Sequence, residues 1–250
     1  MKVTCRFHGE LNEFLPPVRR MHEFESRFKG RESIKDKIEA LGAPHTEVDV
    51  ILVNGRSMGF DHILEDGDVI NVYPSSETPV MSGVRHLRHL PMGSPRFIAD
   101  INIHDVVKMM RALGLDVLED RTFSFEELIE ISVNEGRILL SSSKELLKRK
   151  RVVHGIFIWQ GDRVVQIQKI VADLSLKRMC KPFSRCLLCN TLLEFAPKEI
   201  VWERIPPKTR KRVNEFARCP ACDRLYWKGT HHGKIKEKVD RILSPISLKG

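Results

Sequence analysis

Four of the six cysteines stand in two C-x-x-C pairs, Cys186-Leu187-Leu188-Cys189 and Cys219-Pro220-Ala221-Cys222, with 29 residues between them. A tight knuckle with this spacing aims two thiolates at one ion, and two knuckles complete a tetrahedral set of sulfurs. Such a closed set leaves no open position for substrate, so the chemistry it suits is a structural zinc ion. The same spacing also serves an iron–sulfur cluster. A redox dithiol would instead take a single pair followed by a helix. Asn190 and Asp223 follow the second cysteine of each pair, and both types tolerate the left-handed backbone that knuckles often need. Cys180, His231 and His232 rank below the four as ligands, and Cys5 reads as a small apolar strand residue.

Cations surround this motif: Lys208, Arg210, Lys211, Arg212, Arg218, Arg224 and Lys228, with Tyr226 and Trp227 among them. Cations attract phosphate and exposed aromatic rings stack on unpaired bases. The competing reading is a solvated basic surface over a small core that Tyr226 or Trp227 covers. Neighbours in a strand point to opposite faces, so one of the two can be core while the other is exposed. The charge is distributed to match: the net charge of +9 is gathered in residues 181–250, whereas residues 1–74 are net acidic. The C-terminal third thus has the balance of a polyanion binder.

At 250 residues, with 42% hydrophobic and 30% charged residues, the chain is long enough for two or three domains and is not disordered overall. Its longest apolar stretch, Val152 to Trp159, contains His154 and is far too short to span a bilayer. The first residues lack the apolar run of a secretory signal. No membrane association is expected, and the cytoplasm is the expected location.

Residues 1–74 read as a small α/β unit. Val3 to Phe7 alternates as a strand, and Ile34, Ile38 and Leu41 mark a helix ending at Gly42. Asp49 to Val53 is a strand closed by the turn Asn54-Gly55, and Asp66-Gly67-Asp68 turns into Val69 to Tyr73. That order is a β-grasp. Residues 75–95, with Arg85, His86, Arg88 and His89, read as a linker that is either plain spacer or a phosphate contact.

Over residues 96–178 strands alternate with helices, which implies a mainly parallel sheet. Helices are expected at Val106 to Leu113, Phe125 to Asn134, Lys144 to Arg151 and Val164 to Leu176. In such sheets chemistry lies at the carboxyl ends of strands, here Asp100, Glu119-Asp120 and Ser141-Ser142-Ser143. A zinc ribbon over 179–233 and a basic tail over 234–250 complete the expected order.

Several stretches resemble the Mut-seven C-terminal RNase family. Leu41 to Val48, Val53-Asn54-Gly55, Asp66-Gly67-Asp68 and Val72-Tyr73-Pro74 are similar to the ubiquitin-like domain that precedes it. Phe97 to Asp100, Arg111 to Gly114 and Glu135 to Leu140 resemble its PIN-like core, and Ser184 to Asn190, Val201 to Pro207 and Cys219 to His231 its zinc ribbon. The ubiquitin-like domain is in turn similar to sulfur carriers, which need a free Gly-Gly terminus. Here the chain runs on through Tyr73-Pro74-Ser75, so a docking module is expected, with a protein partner for its acidic surface.

The resemblance implies carboxylates holding Mg²⁺ or Mn²⁺ against a phosphodiester. Asp100 matches the acid after the first strand. Phe125 stands where a second acid is expected, with Glu126 and Glu127 adjacent, and Ser143 stands where a third is expected. Asp105, Asp120 or Asp162 could supply a displaced carboxylate. Two classes follow. One is an RNA- or ribonucleoprotein-binding protein with an eroded acidic site, using Lys144, Lys148, Arg149, Lys208, Arg210, Lys211, Arg212, Arg224, Trp227 and Lys228. The other is an active Mg²⁺- or Mn²⁺-dependent endoribonuclease using Asp100, Asp105, Glu126 and Glu127. A PIN-type toxin is disfavoured, because such toxins are single short domains with intact acids.

Overall fold

The structure, a computed structural model, describes residues 1–80, 82–88 and 93–245. In chain order the N-terminal elements are β1 (Lys2–Phe7), β2 (Phe24–Arg27), α1 (Ile34–Leu41), β3 (Val50–Val53), β4 (Arg56–Met58) and β5 (Val69–Tyr73). Then follow β6 (Phe97–Ala99), α2 (His104–Ala112), β7 (Val117–Leu118), α3 (Phe125–Glu135), β8 (Ile138–Ser141), α4 (Lys144–Leu147), β9 (Gly155–Phe157) and α5 (Arg163–Asp173). The C-terminal elements are β10 (Glu194–Ala196), α6 (Lys198–Val201), α7 (Pro207–Arg210), β11 (Phe216–Arg218), β12 (Leu225–Trp227) and α8 (Thr230–Leu243). They form two compact units, residues 1–93 with 124–157 and residues 94–123 with 158–250.

In the first unit, five strands form one sheet in the order β2-β1-β5-β3-β4, with β1 and β5 parallel and the other pairs antiparallel. This is the β-grasp the sequence implied. Ser33 caps α1 by accepting from Asp36 N, and Ile34, Ile38 and Leu41 are buried together with Val3, Cys5 and Phe7. Cys5 is the apolar strand residue expected, and burial pushes its thiol up to about 12. Asn54 and Gly55, at φ 49° and 78°, make the β3–β4 hairpin turn. Strands β2 and β4 were not anticipated: they are edge strands of three or four residues with charged members, too short to show a period.

The expected linker is not a free spacer where it is described. Buried Asp49 accepts from Arg88 N and Thr78 Oγ1, its Oδ2 lies 2.8 Å from His86 Nδ1, and its carbonyl accepts from Leu87 N. A strand-end carboxylate thus collects the stretch against the sheet. Residues 81 and 89–92, His89 among them, lie outside the described residues.

Asp68 stabilises the turn into β5, with its carboxylate accepting from Glu65 N and from Asn54 Nδ2, and with His62 at 3.3 Å. Burial opposes ionisation, but these bonds outweigh it and hold the group below its ordinary 3.8. A depressed folded value contributes stability that is complete above the unfolded value and lost as pH falls through the folded one. The substitution Asp68→Asn is therefore expected to lower stability at neutral pH and to flatten its decline below about pH 4. Acid titration followed by circular dichroism measures both.

The rest of the first unit is α3, β8, α4 and β9, with β8 and β9 parallel. Helix α3 has a complete capping box, with Gly136 at its end in left-handed backbone. Helix α4 is a single turn ending at Leu147, shorter than the expected Lys144–Arg151, because Leu146 and Leu147 are its only buried residues and the following cations bury no apolar face. The β-grasp is tied to this segment. Glu47 accepts from Phe157 N at 2.5 Å, His45 Nε2 lies 2.8 Å from Val152 O, and Phe14 meets Phe157 edge-on.

In the second unit β6 and β7 are parallel. Val106, Val107 and Met110 of α2, Ile167, Ile170 and Val171 of α5, and Val239 and Ile242 of α8 are buried. Helix α8 packs on α5 and α2. Residues 234–243, expected within a basic tail, are therefore helical. Ile235, Val239 and Ile242 recur at helical spacing, a signal the density of lysines obscured. Residues 246–250 lie outside the described residues. Strands β10, β11 and β12 form an antiparallel sheet over a small core of Ala196, Val201, Ile205 and Phe216.

Candidate functional site

The two cysteine pairs sit on matching turns. Cys186 N donates to Thr191 O and Asn190 N to Cys186 O; Cys219 N donates to Arg224 O and Asp223 N to Cys219 O. Asn190 and Asp223 have φ 69° and 58°, the left-handed backbone their types allowed. Their side chains do further work that glycine could not. Asn190 Oδ1 accepts from Val117 N and its Nδ2 donates to Asp116, while Asp223 meets Arg204 at 3.1 Å and Arg218 at 3.5 Å.

All four ligand sulfurs lie within 4.8 Å of one another, with Cys186–Cys222 at 3.5 Å and Cys189–Cys219 at 3.4 Å. Thiolates bound at ~2.3 Å to a tetrahedral ion stand ~3.8 Å apart, so the set fits zinc. Among the described residues these four are the group of His, Cys, Asp or Glu that could hold a metal ion. Burial acts to raise Cys189, but hydrogen bonds with Thr191 and the neighbouring thiols outweigh it and lower the group. Cys180, ranked as a spare ligand, is outside the group, and burial pushes its thiol up. His232 instead packs against Phe183, with the ring centroids 4.2 Å apart and the planes tilted by 37°.

Two supports of this centre escaped the sequence. The Tyr226 hydroxyl lies 3.1 Å from Cys186 Sγ and accepts from Leu187 N, and burial keeps the phenol neutral. Arg111, only 1% exposed, donates Nε to Val117 O and Nη1 to Leu187 O and Leu188 O. Leu187 and Leu188 are the two residues between the first pair of cysteines, so the guanidinium grips the knuckle itself. Gly114 ends the turn after α2 at φ +85°, where a Cβ would strike the Lys181 carbonyl, and Gly114 O accepts from Arg185.

The expected acidic residues are mostly engaged locally. Asp100 is 2% exposed at the end of β6, and its carboxylate accepts from Asn102 N. Asp105 is exposed in the first turn of α2. Half-buried Glu119 lies 2.8 Å from His104, Asp120 accepts from Thr122, and Asp162 caps α5 and meets Arg241. In the first unit, Glu127 closes the capping box with Ser124, and exposed Glu126 stands 3.9 Å from Arg151. Phe125 is 41% exposed. Ser143 caps α4 by accepting from Leu146 N.

The expected cationic residues divide in the same way. Lys144 lies over the Phe14 ring at 5.2 Å, and burial lowers its pKa, with Lys148 and Arg20 adding to the effect. Arg210 donates to Ile205 O and lies 4.9 Å over Trp202. Lys228 pairs with Glu215 at 2.7 Å. Arg149, Lys208, Lys211, Arg212 and Arg224 are exposed and Lys148 is half-buried. Trp227 packs half-buried against the ribbon core beside Phe216. The exposed aromatics of this region are Phe195 at 74% and Trp202 at 41%.

No helix among the described residues is long and apolar enough to cross a membrane. No curated protein matches the chain. Among solved structures it is similar to a putative molybdopterin converting factor, subunit 1, from Pyrococcus furiosus, at 24% identity over 30% of this chain and 97% of that one, with a TM-score of 0.24. It is also similar to SAMP1 from Haloferax volcanii, at 17% identity over 33% of this chain and 100% of that one, with a TM-score of 0.25. Residues 1–80 match the Mut7-C ubiquitin domain. Residues 95–239, from β6 through the four cysteines into α8, match the Mut7-C RNAse domain, and the chain belongs to that family.

Proposed function

We propose that this protein is an RNA-binding member of the RNase family whose acidic metal site is eroded, and that it holds RNA or a ribonucleoprotein through its basic ribbon region. The observation that carries the reading is Ser143: where the family pattern has an acid, a neutral hydroxyl caps α4. A divalent site that loses a carboxylate loses charge as well as a ligand. Glu127, beside the second expected acid, is likewise engaged as a cap. The thiols suit a reducing, cytoplasmic setting in which they bind zinc rather than pair. The β-grasp module serves as a docking unit, a role its ties to Val152 and Phe157 support.

Buried Asp100 at a strand end favours one alternative, a Mg²⁺- or Mn²⁺-dependent endoribonuclease. Purified chain incubated with single-stranded RNA and Mn²⁺ separates the two. Binding that weakens steeply with salt, with little or no cleavage, is the expected result. Rapid Mn²⁺-dependent cleavage abolished by Asp100→Ala would overturn the eroded-site reading in favour of the alternative.

A further inference from the structure

The register of the ribbon strands places Phe195, Ala217 and Tyr226 in one row, with Phe195 opposite Ala217 and Ala217 opposite Tyr226. The adjacent row, Ala196, Phe216 and Trp227, faces the ribbon core. Strand residues alternate between faces, so the Phe195–Ala217–Tyr226 row lies on the opposite side of the sheet. That side borders a groove of about 900 Å³, walled also by Phe183 and His232, and Phe216 and Trp227 of the other row reach its lining as well. The outer strands of the row are ~10 Å apart, and the small Ala217 between two aromatic residues leaves room for a flat ring. Tyr226 is held in place by its bonds to Cys186 and Leu187, while Phe195 is 74% exposed although nothing in its strand requires a large apolar side chain there.

The rim decides what the groove accepts. Lys108, Arg224 and Lys234 border it with no carboxylate partner among the described residues, and the acid on the rim, Glu215, is neutralised by Lys228. An aromatic floor inside a ring of unpaired cations complements a polyanion that carries planar groups. A purely apolar peptide would meet three desolvated cations, and a duplex could not offer a base face.

We infer that this groove seats an unpaired nucleobase of single-stranded RNA, stacked over Ala217 between Phe195 and Tyr226, with the flanking phosphates met by Lys108, Arg224 and Lys234. The inference rests on the RNA-binding reading and adds which face binds and which part of the RNA is recognised.

The test uses the full zinc-loaded chain and two fluorescein-labelled ten-residue probes, oligouridylate and the equally charged ribose-phosphate chain without bases. Wild type is expected to bind oligouridylate more tightly than the base-free chain. Phe195→Ala should lose at least about fivefold for oligouridylate and nothing for the base-free chain. Ala217→Phe, which fills the slot without altering charge, should do the same. Lys108→Glu and Lys234→Glu should weaken both probes and lower the salt slope. Zinc content and melting temperature verify that each variant is folded. Wild type that binds oligouridylate no better than the base-free chain, or a Phe195→Ala variant that binds it as wild type does, overturns the groove while leaving RNA binding standing. Wild type that binds neither probe overturns the RNA reading itself and the inference with it.

Discussion

Chelating the metal from the folded chain is expected to unfold the ribbon, from Ser184 through Lys228, while the β-grasp stays folded. Apart from Cys186 and Cys219, the buried residues of the ribbon are Ala196, Val201, Ile205 and Phe216, with Val213, Leu225 and Trp227 packed against them. That is too small a core to order so long a stretch unaided. Where four thiolates bind zinc, the binding free energy, ~10–16 kcal/mol in small modules at neutral pH, is folding free energy. One zinc per chain is expected by elemental analysis, and Cys219→Ser should abolish it. Iron in its place would show that a cluster occupies the thiolates. A metal-free chain that melts at an unchanged temperature would refute the structural role. Because Phe195, Ala217 and Tyr226 lie on the same three strands, metal loss is also expected to abolish RNA binding.

Replacing Arg111 with Met is expected to cost ~3–5 kcal/mol and to weaken zinc binding ~10–100-fold. Three backbone carbonyls would be left without their donor, that of Val117 buried and those of Leu187 and Leu188 part-buried. Burial lowers the guanidinium's pKa, while Glu119, the Cys186 and Cys189 thiols and Asp116 act to raise it. It stands near the Cys186 and Cys189 sulfurs, where a zinc–tetrathiolate centre would carry excess negative charge. Arg111→Lys should rescue little, since an ammonium cannot reproduce the planar fork that reaches both the knuckle and Val117. Chelator competition and thermal melting give the two numbers. A Met variant with wild-type zinc affinity would show that the knuckle holds its shape without this residue.

What the residues alone made legible is what depends on short separations. Each C-x-x-C pair is one turn long, and thiolate chemistry at that spacing has few other uses. The helical period around Ile34 to Leu41 and Val106 to Met110 is equally local, as is the Asn54-Gly55 turn. The resemblance placed Ser143 where an acid was expected, and the structure added that its hydroxyl caps a helix.

Tertiary structure alone decided the rest. Arg111 reads from sequence as the polar face of an amphipathic helix, and only the knuckle arriving from 76 and 77 residues away makes it a buried anchor. The alternation of Tyr226 and Trp227 showed that they must part, but not which one faces the core. Cross-strand register settled that, seating Trp227 with Phe216 and putting Phe195, previously unremarked, beside Ala217 on the groove face. Residues 124–157 group with the β-grasp, where Glu47 and His45 find backbone partners at Phe157 and Val152. Separations of that length leave no trace in a local pattern, since hydrogen bonding and burial depend on distance in space and not on distance along the chain.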